Sequence, residues 1–259
     1  MNIKKRLYDD FLRPSKFEEY EKIIKIAAEE GYEFHTILSF EEVRESLDPL
    51  KKYLILRRDV DTPDFVSLYK MFTIEKKYNA RCTYYFRKST KNLQLMQYIQ
   101  NGGGEPSYHY EELATYCYKY RIRNREKVLG HLSEIQITFL KNLKAFRKEI
   151  GLPCLTVASH GDYVNTKLGV QNAILMTNAI KESAGIVREA YDKEHMNALT
   201  CRLADQVLGE AFVEQAIAAI KRGEPVLELL THPRQWNSPF IINFREEVGR
   251  VLKQIYMNL

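Results

Sequence analysis

The sequence predicts an α/β fold, a mostly parallel sheet with helices outside it. Short β-branched and aromatic runs alternate with segments of helical period along the chain. No repeat, low-complexity stretch or Pro/Gly/Ser linker divides the 259 residues. A third observation gives the sheet a working end, because aspartates and histidines follow the strand-like runs rather than precede them. The alternation fits a layered sheet or a barrel, and α/β barrels of this length are commonly single domains.

The elements follow from the pattern in order. Phe17, Tyr20, Ile23, Ile24 and Ala27 predict a helix over 16–30, with Gly31 as its stop. A strand over 53–58 comes next. Thr62-Pro63-Asp64 reads as a helix start with proline at the first position, and Phe65, Leu68, Tyr69 and Phe72 supply that helix's apolar face. "ARCTYYFR" (80–87) predicts a strand, and a helix over 91–100 ends in Asn101-Gly102-Gly103-Gly104. These glycines lack the Gly-Lys-Ser/Thr of a phosphate loop, so they read as a turn before the extended "EPSYHY" (105–110). Helices are expected from 111, over 126–150, over 166–176 and over 211–222. Strands are expected in "LTVASHG" (155–161) and "PVLELLTHP" (225–233), with weaker ones in "AGIVREAYD" and "LTCRLAD". An amphipathic helix over 243–257 closes the chain.

The composition is that of an ordinary soluble protein, with 45% hydrophobic residues and a negative mean hydropathy. A net charge of +5 and a pI of 8.8 are mildly basic. The short clusters at Lys4-Lys5-Arg6 and 121–127 come with no nucleic-acid-binding motif, so they read as solvated faces and no nucleic-acid partner is expected. The amino terminus "MNIKKRLYDDFLRP" has no apolar run behind its basic residues, and no stretch approaches membrane-spanning length. Cys82, Cys117, Cys154 and Cys201 are widely separated, which suits buried reduced thiols. The cytoplasm is the expected compartment.

The chemistry collects at strand exits. The strand over 53–58 runs into Asp59 and Asp61, which alternation places on one face about 7 Å apart. Two like charges so placed need a cation between them, an arginine or a metal. The strand over 80–87 ends in Arg87, "EPSYHY" holds His109, "LTVAS" runs into His160, and "PVLELL" runs into His232. In a parallel α/β fold these ends share one face. Singly, each residue has a plain role: Asp61 before Thr-Pro as a helix cap, each histidine as a hydrogen-bonded loop residue, Arg87 as a partner for Asp59. Together, a carboxylate and two imidazoles make a three-ligand set for zinc with a position left for water. A second carboxylate could take that water's proton, and a further histidine could protonate a leaving group. His35, His131 and His195 look incidental.

These residues sit in a familiar order. "LILRRDVDTPDFVSLYKMFTIEKKYNARCTYYFR" resembles the first motif region of the polysaccharide deacetylase-like proteins, the NodB-type carbohydrate esterases, in the branch that reads Arg-His-Asp-Val-Asp-x-x-Pro. "SYHYEELA" resembles that branch's Gly-Tyr-His-Tyr-Glu segment, "SHGDY" its His-Gly segment, and "LLTHPRQW" its terminal Leu-x-x-His-Pro-x-x-Trp. The likeness runs from about residue 18 to 236.

The resemblance implies a distorted (β/α) barrel over one domain. Residues 1–52 would form a helical lead-in, 53–236 the barrel and 237–259 a terminal helix. It implies a divalent metal, usually zinc, and hydrolysis of an acyl group on a sugar, so a small carbohydrate or glycan is the expected partner. Carried over, Asp61, His109 and His160 would be metal ligands, Asp59 the catalytic base and His232 the acid at the leaving group. Arg58, Arg87, Tyr108 and Trp236 would contact substrate. Arg58 stands where the branch has histidine, and Leu113 where the more familiar deacetylases have a second histidine. Asp-Val-Asp replaces their adjacent Asp-Asp, so the two aspartates' roles could be exchanged. A glycan- or partner-binding relative without activity, or a hydrolase of another C–N bond, shares the same expected fold.

Overall fold

The computed structural model describes residues 11–258; the basic cluster Lys4-Lys5-Arg6 lies outside them. Among the described residues eight strands form one sheet, and every pairing is parallel. They are β1 (Tyr32–His35), β2 (Lys52–Val60), β3 (Thr83–Phe86), β4 (Glu105–Tyr110), β5 (Thr156–Ser159), β6 (Arg188–Glu189), β7 (Cys201–Ala204) and β8 (Val226–Thr231). The order is β6-β5-β4-β3-β2-β8-β7. β2 is long enough to serve two neighbours on one edge: β1 pairs with its first half and β3 with its second. The described residues before 52 therefore add a strand as well as two helices, Phe17–Glu29 and Ile37–Val43.

Alternation along β2 splits the molecule into an outer and an inner layer. Leu54, Leu56 and Val60 point outward into the main core, where they meet Ile23, Ile24, Leu68 and Phe72. Helix Phe17–Glu29 lays its periodic apolar face there, beside helices Phe65–Lys77 and Phe212–Arg222. Tyr53 and Ile55 point inward to a second, smaller core with Ile37, Phe40, Tyr85 and Ala158.

The sheet curls into a half-barrel, and among the described residues no backbone ladder closes it. Side chains bridge the gap between β6 and β7. Tyr191, just past β6, accepts from Arg57 Nη2 at 3.0 Å, and Arg202 of β7 lies over its ring at 5.4 Å. Below them His195 Nε2 stands 2.8 Å from Glu228 Oε2 of β8. His195 is thus a fully buried member of an ionic network and is not incidental.

Several local expectations shift. The helix after β2 begins at Phe65, and Asp64 is its cap, accepting from Ser67 N at 3.1 Å; Pro63 lies before the helix, and Asp61 is not a cap. The stretch over 126–150 is two helices, Arg125–Gly130 and Leu132–Ile150. The stretch over 166–176 is a short helix, Tyr163–Leu168, and a 3-10 turn, Asn172–Leu175, because Gly169 takes a positive φ of 62° and ends the first. The closing helix runs Phe240–Asn258. All four cysteines are free thiols. Among the described residues no helix is long and apolar enough to cross a membrane.

Candidate functional site

β2 carries the acidic end of the site. Arg57 and Asp59 are both odd-numbered along the strand, so both enter the half-barrel. Arg57 Nε and Nη2 donate to Asp59 Oδ1 and Oδ2 at 2.9 and 2.8 Å. The guanidinium is sandwiched between the rings of Tyr85 and Tyr191, 5.4 and 4.4 Å from their centroids. Burial pushes the Asp59 carboxyl up, but the Arg57 charge and hydrogen bonds together with His109 and His232 outweigh it and hold it below the usual range.

Asp61 is the hub. Its Oδ1 lies 3.3 Å from His109 Nε2 and 3.6 Å from His160 Nε2. Its Oδ2 lies 3.9 Å from His232 Nε2. Oδ1 is buried and has no hydrogen-bond partner. Burial alone would raise this carboxyl; the ring of imidazoles, His160 foremost, holds it well below the carboxylate range.

Each histidine arrives on its own strand. His109 of β4 keeps Nδ1 at 2.9 Å from the Ala158 carbonyl. A carbonyl only accepts, so Nδ1 carries a hydrogen and the ring turns its Nε2 on Asp61. At 3.3 Å, Asp61 Oδ1 and His109 Nε2 need a proton or a cation between them. His160 leaves the end of β5, fixed by its N–H to Tyr110 O at 2.8 Å. Burial, reinforced by Arg87 and His109 against the pull of Asp61, lowers its pKa to about 4, so the ring is neutral at physiological pH. His232 leaves β8. Burial opposes its protonation, but Asp205 accepts from both its Nδ1 and its backbone N at 2.7 Å, and its pKa rises to about 9.

Arg87 closes the rim, with Nη1 donating to Asp61 O at 3.0 Å and Nη2 to Glu111 Oε2 at 2.6 Å. A cavity of about 300 Å³ is lined by Asp59, Asp61, His109, His160, Tyr191 and His232. It meets a wider cleft under the last helix, where Asp61, Arg87 and His160 face Arg250 and Lys253.

Three residues expected to contact substrate do not reach this cavity. Arg58 is even-numbered, so it leaves β2 on the outer face, where it is fully buried and pairs with Glu75 at 2.5 Å. Tyr108 is outward for the same reason; its hydroxyl donates to Glu112 at 2.5 Å and its ring packs on Phe139 and Phe146. Trp236 is buried between Tyr20 and Phe212, and its indole N–H donates to Asp205 Oδ2 at 3.0 Å. It braces the residue that braces His232. Leu113 is likewise buried in the main core.

Asp205, Glu111 and Tyr191 join the site without being among the residues expected from the sequence. Asp205 was legible by the rule used elsewhere, since it directly follows the "LTCRLA" run; Glu111 follows His109 by two residues in "HYE". Tyr191 has no local signal, because only the curl of the sheet brings it to Arg57.

Among the described residues no three His, Cys, Asp or Glu side chains are grouped so that they could hold a metal ion as they stand. By type these are donors that a divalent cation takes. An unpartnered buried carboxylate oxygen faces two imidazole nitrogens, and one of those imidazoles is oriented by a carbonyl behind it, as ligating histidines are.

No protein-family model matches the chain, and no curated protein does. A solved structure does: the Streptococcus pyogenes deacetylase PplD in complex with acetate is similar at a TM-score of 0.46 and 12% identity, over 96% of this chain and 92% of that one.

Proposed function

We propose that the protein is a metal-dependent hydrolase that removes an acyl group, acetyl in the simplest case, from a sugar or sugar derivative. The observation that carries this reading is the Asp61 carboxylate, whose free Oδ1 is approached by His109 and His160 while Oδ2 faces His232. Asp61, His109 and His160 would hold the ion, zinc by donor type, which when bound would supply Lewis acidity and a water of lowered pKa.

The chain's own residues would do the rest. Arg57 engages both oxygens of Asp59, whereas Asp61 Oδ1 is unclaimed. This favours Asp61 as ligand and Asp59 as the group that holds or takes the nucleophile's proton. His232, kept cationic by Asp205, would hand its Nε2 proton to the departing amine or alcohol. Arg87 at the rim would meet the substrate. The sugar itself rests on the motif likeness around Asp59, His109, His160 and His232.

A binding protein without activity is the second reading, favoured by the lack of a ready-made metal cage. Elemental analysis of wild type beside Asp61→Ala, with acetate release measured on N- and O-acetylated sugars, tests both. Stoichiometric divalent metal lost in the variant, with acetate released only by the wild type, supports the hydrolase. A wild type that takes up no metal after incubation with zinc rejects it.

A further inference from the structure

The last helix, Phe240–Asn258, shows solvent a face that its own sequence marks for another helix. Ile241, Phe244, Val248, Val251 and Ile255 recur at intervals of three and four, the heptad seam of paired helices. These five, with Phe240 and Leu252 beside them, are between 42% and 66% exposed. The helix cannot roll to hide them. Its opposite face is fixed by buried Asn243 and Met257, by Lys253 on Asp162 at 3.0 Å, and by Tyr256, whose hydroxyl accepts from Arg121 at 2.9 Å.

We infer that this seam is a dimer interface, in which the helix pairs with the same helix of a second copy across a twofold axis. With two phenylalanines exposing about half of the roughly 150–250 Å² an aromatic side chain can bury, and five aliphatic side chains offering somewhat less each, the seam amounts to ~600 Å² per copy. Two such faces remove ~1,200 Å² from water, above the ~1,000 Å² expected of a specific interface. A twofold contact needs only one self-complementary patch, which a single apolar seam is. An anionic membrane fits less well, because the seam is flanked by Arg245 on one side and Glu247 on the other instead of by a basic face. Leu252 and Ile255 also wall a groove beside Arg87 and Glu111, so pairing would bring the partner helix to that groove's edge.

Sedimentation velocity across the micromolar range tests the inference. The wild type is expected to dimerise, and Val248→Asp/Val251→Asp to weaken association at least 100-fold with unchanged far-UV circular dichroism. Ile241→Lys/Phe244→Lys is a second disruption, should the first misfold. Val66→Asp, at an exposed apolar position on another helix, should remain dimeric. A monomeric wild type, a dimer that survives both seam variants, or a monomer that co-sediments with anionic vesicles would each overturn it.

Discussion

Arg57 and Asp59, two residues apart on one strand, meet through two parallel hydrogen bonds inside the half-barrel, with both side chains almost wholly out of solvent. The pair answers why a buried strand ends in carboxylates: its own arginine accompanies the first of them. Removing one member strands a charge in a low-dielectric interior, which costs more than the pair's net worth. Arg57→Met is therefore expected to lower unfolding stability by about 3–5 kcal/mol, read from the shift of a urea midpoint. A shift under about 1 kcal/mol would mean Asp59 finds another partner or takes up a proton.

Asp205→Asn is expected to move the alkaline limb of the pH–rate profile toward acid. His232 must carry the proton it donates, so activity should fall as pH rises through its pKa, about 9 in the wild type. Without the Asp205 charge, burial prevails and that pKa drops. An unmoved alkaline limb in kcat/KM would take the acid's role away from His232.

Glu41 accepts from Arg188 at 2.7 Å and stands 3.4 Å from His195. Burial would raise its carboxyl, but these two cations outweigh it and lower the pKa from 4.5 to about 2. A depressed acid contributes stability above its unfolded pKa and loses it as pH falls through the folded one. The wild type should thus exceed Glu41→Gln in thermal midpoint at neutral pH, and the gap should narrow between about pH 4.5 and pH 2. A gap independent of pH would show that shape, not charge, sets the effect.

Trp236→Phe separates bracing from sugar stacking. The indole donates to Asp205 and is buried, so its loss should lower stability by about 1–2 kcal/mol and leave KM for an acetylated sugar within about twofold. A tenfold rise in KM at unchanged stability would return Trp236 to the substrate.

Much of the site was legible because it depends on local rules. Strand alternation put Asp59 and Asp61 on one side, and parallel strands gathered His109, His160 and His232 at one end. The misses share a cause as well. Arg58 and Tyr108 lie one residue from inward-facing neighbours, and a single step along a strand reverses the face. Trp236 stands past a strand exit, where only tertiary packing decides between cavity and core.

By itself the sequence determined the α/β alternation, the parallel sheet and the strand ends that carry titratable groups, since these follow from periodicity and chain direction. Tertiary structure alone decided that β1 shares an edge of β2, that Tyr191 reaches Arg57 across the open side, and that Asp205 takes hold of His232. Those contacts join residues 20 to 134 positions apart; strand pairing makes the first and the last, and the curl of the sheet brings Tyr191 to Arg57.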